Sequence, residues 1–189
     1  MPSGAGGHVN VHSMTELDDF RYPIGRFSRP ANNDAATRAV HIEAIRALPG
    51  QLRAAVSGLN DAQLDTPYRD GGWTVRQVAH HVADSHANSF IRFKLALTED
   101  CPAIKSYDEV AWANLADSKI PLDSSLMIID GLHQRWALLL ESMTEEDFQK
   151  CYVNPEGAKQ NLGLALAVYA WHCAHHTAHI TALRARKGW

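Results

Sequence analysis

Nowhere in the 189 residues is there an uninterrupted apolar run of the roughly 20 residues that a membrane span requires, so no membrane partner is expected. The opening stretch MPSGAGGHVNVHSMTELDDF lacks a basic start followed by an apolar segment, so export is not expected. Cysteine is scarce. Cys101, Cys151 and Cys173 are odd in number and show no CxxC spacing, so neither a disulfide framework nor a thiolate zinc finger is expected, and the pattern suits a reducing cytoplasm. Charge of either sign is not in excess: 18 basic and 21 acidic residues leave a formal −3, without the footprint that nucleic acid or an anionic membrane would select. A small-molecule partner is the expectation. Also missing are a Ser-His-Asp arrangement, a GxSxG elbow, a P-loop and a dinucleotide fingerprint.

What is present begins with 46% hydrophobic residues, enough for one sizeable core. Residues 1–20 read as a flexible extension rich in Gly, Ser and Asn, with His8 and His12 as tail residues, and residues 21–189 read as a single domain. Four long helical segments follow. The first, NNDAATRAVHIEAIRALPGQLRAAVSGL, has Asn33 or Asp34 as cap and a kink or break at Pro49-Gly50. The second runs from the Thr74 cap through VRQVAHHVADSHANSFIRFKLALTED. A short helix is expected in YDEVAWANLADS, a third long one in SSLMIIDGLHQRWALLLESM, and a mostly polar connection with one helical turn in TEEDFQKCYVNPEGAKQN. The last, LGLALAVYAWHCAHHTAHITALRARKG, ends in cations and a glycine stop. With no strand run evident, an all-α four-helix bundle is predicted.

Eight of the eleven histidines fall in the second, third and last of these long segments: His80, His81 and His86 in the second, His133 in the third, and His172, His175, His176 and His179 in the last. A helix turns about 100° per residue, so Leu162, Leu166, Tyr169, Cys173, Ile180 and Leu183 define one stripe. His176 lies within it and His172 sits one turn earlier near its edge, whereas His175 and His179 turn toward the flank. An i, i+4 pair facing inward suits one metal ion, because two buried imidazoles without partners are costly and a cation satisfies both. In the second segment the stripe Val75, Val78, Val82, Phe90, Phe93 and Leu97 points to His86, with His80 and His81 on its two flanks. Cys173 reads as a packed core thiol. Arg92 and the run Tyr68-Arg69-Asp70 are candidates for substrate or supporting contacts, more in keeping with ordinary surface positions.

The blocks GGWTVRQVAHHVADSH and WHCAHHTAHI, with the terminal GW, closely resemble the YfiT-like branch of the DinB superfamily, over a span from RYPIG near residue 21 to Trp189. That branch includes proteins described as metal-dependent hydrolases and bacillithiol S-transferases. The resemblance implies an up-down-down-up bundle, often a homodimer, holding a divalent metal on three histidines. Residue by residue it implies His81, eight positions after Trp73, together with His172 and His176. It agrees with the wheel on the last helix and differs from it on the second, where His80 and His86 stay as alternatives.

Three neutral imidazoles leave an open position on Zn²⁺, the metal expected first, or on Ni²⁺, and the open position can activate water for hydrolysis or a low-molecular-weight thiol for transfer. The competing expectation is a non-catalytic helical scaffold stapled by the metal. A fourth protein ligand from His86, His175 or His179 would close the site and favour that scaffold.

Overall fold

The computed structural model describes residues 20–189. The expected extension, with His8 and His12, lies almost wholly outside the described residues. The helices begin where local chemistry satisfies their first N–H groups. Helix α1 (Ala35–Val56) starts at Asp34, whose carboxylate accepts from the Thr37 N–H at 2.8 Å. After a single turn, α2 (Asp61–Leu64), helix α3 (Val75–Thr98) opens with a reciprocal capping box: Thr74 Oγ1 accepts from the Gln77 N–H and the Gln77 amide oxygen accepts from the Thr74 N–H. A short α4 (Glu109–Ala113) and a 3-10 turn (Ala116–Lys119) lead to α5 (Asp123–Glu141), then α6 (Glu145–Gln149). Helix α7 (Leu162–Lys187) starts at Asn161 and stops at Gly188, whose φ of 70° is the left-handed conformation open to glycine.

Cross-helix pairs fix the direction of each long helix. Between α1 and α5, Arg46 pairs with Glu141 and Arg53 with Asp130, so the two run oppositely. Between α3 and α5 the contacts His80 to Ser125, His86 to His133 and Phe93 to Trp136 rise together, so these two run the same way. Helix α7 opposes α3, since His81 meets His176 and Ser85 meets Tyr169. It runs with α1: Asn33 crowds Gly163 at one end, and the Arg184 guanidinium donates to the Ala55 carbonyl at the other. The order is therefore up-down-down-up, as the resemblance implied. Trp136 fills the centre, fully buried against Phe93, Tyr169 and His86, and Ile45, Leu52, Leu166 and Ile180 close the core around it. Each such side chain contributes about 1.5–3 kcal/mol by leaving water.

Three expectations need correction. Helix α1 continues through Pro49 as one 22-residue element, because burial of Ile45, Leu48 and Leu52 on one face holds both halves to the core. The connection after α6 contains an antiparallel hairpin, β1 (Cys151–Val153) with β2 (Lys159–Asn161), turning at Gly157 with φ 82°. Its strands are three residues each, too short for alternation to register in the sequence. Finally, Cys101 and Cys151 form a disulfide with their Cα atoms 4.8 Å apart. The backbone brings them together: the Val153 N–H donates to the Pro102 carbonyl and the Ile104 N–H to the Val153 carbonyl, laying the chain after α3 along β1. Partners 50 residues apart leave no spacing signature, and the cysteines no longer argue for a reducing compartment. No helix among the described residues is long and apolar enough to cross a membrane.

Candidate metal centre

Near the start of α3 and midway along α7, His81, His172 and His176 come together, each offering one ring nitrogen within 4.8 Å of the others'. His172 Nε2 and His176 Nε2 are 3.1 Å apart. Two nitrogens each bound at about 2.05 Å to one tetrahedral ion stand roughly 3.3 Å apart, so this pair is already spaced for a shared cation. His81 is 4% exposed and makes no hydrogen bond to the described residues, although Trp73 and His176 lie against its ring at 4.6 and 4.8 Å. His81 also lines the cavity that opens over the trio, so its ring can offer a nitrogen to an ion held there. The donor set therefore fits a divalent metal ion that accepts imidazole nitrogen.

Burial sets the electrostatics. It pushes His81 down to about 4, with the neighbouring His179 adding to the effect, and holds His172 and His176 well below the ordinary imidazole range. The rings are thus neutral near pH 7, the form that carries a lone pair.

The alternatives in α3 point elsewhere. His80 is taken on both nitrogens, by Ser125 Oγ at 2.7 Å and the Ile120 carbonyl at 3.1 Å. His86, fully buried, lies one layer deeper and contacts His172 Nδ1 and His133 Nε2, both at 2.9 Å. His133 Nδ1 in turn donates to the Ile45 carbonyl at 2.5 Å. The wheel of the second segment points to His86 but not to the string it joins, because wheels flatten depth along the axis and carry no partner from another helix.

His175 and His179, expected at the flank, are buried. Residues 20–25 and the loop before α3 cover them: the His179 Nε2–H donates to the Arg21 carbonyl at 3.0 Å, Tyr68 stacks on His179 at 4.0 Å, and the Trp171 indole donates to the Gly25 carbonyl. His175, His176 and His179 form a second group with one nitrogen each within 4.8 Å, and the Nδ1 atoms of all three have no partner. His176 is common to both groups. Among the described residues, none of His86, His175 and His179 joins the first group as a fourth member.

A cavity of about 600 Å³ opens over the trio, walled by Tyr22, Trp73, Arg69 and Glu109. Tyr68 and Arg69 therefore sit at the site, whereas Asp70 lines a neighbouring cleft and Arg92, outside the lining, donates to the Lys105 carbonyl. Glu109, which nothing in its short helix singled out, is exposed at the cavity rim, where loss of solvation raises its carboxyl above the usual range and Arg92 opposes the rise. Cys173 is buried in the core, where desolvation pushes its thiol up and away from reactivity.

Residues 44–180 match the model of the DinB superfamily. A protein of Geobacillus thermodenitrificans, named "Putative metal-dependent hydrolase", is 58% identical over 179 residues, covering 93% of this chain and all of its own. A Geobacillus kaustophilus protein with a name of the same form is 54% identical over the same shares. Among solved structures, YfiT from Bacillus subtilis, described as a probable metal-dependent hydrolase with an unusual four-helix bundle topology, superposes with a TM-score of 0.88 at 47% identity. The match covers 90% of this chain and 99% of that one.

Proposed function

The chain belongs to the DinB superfamily, and on that footing we propose that it is a metal-dependent enzyme whose ion is held by His81, His172 and His176 and acts on water or a low-molecular-weight thiol. The observation that carries the reading is the convergence of three imidazoles from two helices, two of them buried and His172 partly so, at the floor of a cavity. Bound there, a divalent ion, Zn²⁺ first and Ni²⁺ as the alternative, would supply Lewis acidity that makes water or a thiol nucleophilic near neutral pH. The second histidine group is less suited. Its members lie on one helix at i, i+1 and i+4, where adjacent side chains diverge by about 100°, and His176 Nε2 is already turned to His172.

The protein's own groups supply the rest. Trp73 lies against His81 and limits water on that side, and Arg69 puts a cation in the wall that faces an incoming anionic group. Among the described residues Glu109 is the one carboxylate on that wall, and its raised pKa suits it to take the proton released as the nucleophile forms. Among the described residues no fourth histidine joins the trio, which favours an open, reactive position over a closed structural staple.

Elemental analysis of the purified protein beside His81→Ala, His172→Ala and His176→Ala tests the assignment. Near-stoichiometric metal in the wild type, lost in each variant, is expected, after which hydrolysis and thiol-transfer assays divide the two reactions. Metal that persists in all three variants, or none after reconstitution, would remove the proposal's basis.

A further inference from the structure

The hydrogen bonds behind the site run in one direction, and that direction is set far from the metal. Proline has no N–H, so Pro49 cannot give the Ile45 carbonyl its usual helical donor four residues on. That carbonyl accepts from His133 Nδ1 instead. A carbonyl only accepts, so His133 must carry its proton on Nδ1, which leaves a lone pair on Nε2. His86 Nδ1, 2.9 Å away, must then be the donor in that contact, which leaves the lone pair of His86 on Nε2. His172 Nδ1, again 2.9 Å away, must donate to it. The last lone pair in the series falls on His172 Nε2, the atom that faces His176 Nε2. Complete burial of His86 and near-complete burial of His133 keep the rings neutral, one proton each, which the count requires.

We propose that His86, His133 and the Ile45 carbonyl are positioning groups that lock His172 in the tautomer with its Nε2 lone pair ready for a cation. The proposal rests on the metal reading above for its purpose, though not for its geometry. Among the described residues no comparable string stands behind His176, whose Nδ1 is buried without a partner, nor behind His81. His172 is thus the one pre-set ligand of the three. Because the string ends on a carbonyl in the core, it orients the ring and does not carry protons to solvent.

Two readouts test this. Long-range ¹H–¹⁵N correlation on metal-free protein reads the tautomer of His172 directly, and competition with a chromophoric chelator reads Zn²⁺ affinity. The wild type should show His172 protonated on Nδ1. In His86→Leu the preference should disappear while His176 is unchanged, and Zn²⁺ affinity should fall about 10–100-fold, the range for losing an outer partner of a ligating histidine. His86→Gln, whose amide oxygen can accept from His172 and whose amide N–H can reach His133, should recover most of both. An Nε2–H tautomer for His172 in the wild type would overturn the proposal, as would His86→Gln behaving no better than His86→Leu. Should His86→Leu fail to fold, the wild-type tautomer and the glutamine variant still decide. Failure of the wild type to bind metal would sink the functional reading alone, because the tautomer is measured without metal.

Discussion

Cutting the Cys101–Cys151 bond should lower stability by an amount that the loop it closes dictates. A separation of 50 residues gives, by chain-entropy arithmetic, about 4 kcal/mol of destabilisation of the unfolded chain that is lost on cleavage. For a domain of this size that is a fall of roughly 8–16 °C in the melting temperature. The structure adds an internal control. Cys101 has φ 42°, in the left-handed region, where a side chain costs about 1–2 kcal/mol that glycine escapes. Cys101→Ser and Cys151→Ser should therefore be equally destabilised, whereas Cys101→Gly should retain about 1 kcal/mol more. Urea denaturation with chelator present, in parallel with and without reductant, measures all four proteins free of metal effects. Thiol titration of the unfolded protein should count one free group before reduction, Cys173, and three after. If three thiols titrate without reductant, or if reduction of a proven bond leaves the urea midpoint in place, the reasoning fails.

Acid should unfold the protein early. His133, His175 and His179 are each held down near 4 by burial, while the unfolded chain takes up these protons near 6.5. The unfolded state thus binds more protons between those values, so stability falls as pH drops from about 6.5 to 4, with a slope above one proton, or about 1.4 kcal/mol per pH step. Flat stability across that window would contradict it. Gly72→Ala places a methyl 2.7 Å from Arg69 Cγ and 3.2 Å from Tyr68 Cε1, so it should cost about 1–2 kcal/mol in denaturation and disturb the cavity wall, raising KM more than it lowers kcat. Saturating Zn²⁺ at about 100 times its Kd should raise stability by about 2.7 kcal/mol over the chelator-treated protein, and His176→Ala should abolish that difference in a thermal scan.

How much of this could be read from the chain depends on what one-dimensional patterns encode. The four long helices follow from apolar spacing, with Thr74 and Gly188 marking ends as expected. The His172/His176 pair also follows, since i, i+4 places both on one face whatever the helix packs against. His81 does not. A wheel gives angle without height, and His81 and His86 are five residues, about 7.5 Å, apart along α3. Both point inward, His81 level with His172 and His176 and His86 beneath them against His133; periodicity points to the deeper one, whereas the resemblance implies His81. His175 and His179 were misplaced for a related reason: they are covered by chain from residues 20–25 and 66–73, which no helix-local pattern contains. The disulfide and the hairpin are likewise products of tertiary contact.

The proline within α1 sets a trap for anyone improving this protein. A search for thermostability would replace Pro49 early, since an interior proline costs a helix about 3 kcal/mol, and alanine there should be rewarded with a higher melting temperature. The same exchange would hand the Ile45 carbonyl a local N–H and weaken its hold on His133, so the sturdier variant should be the poorer zinc binder. Selection for heat resistance alone would thus erode the metal centre from a residue that never comes near it, an instance of stability and activity drawing on one backbone carbonyl.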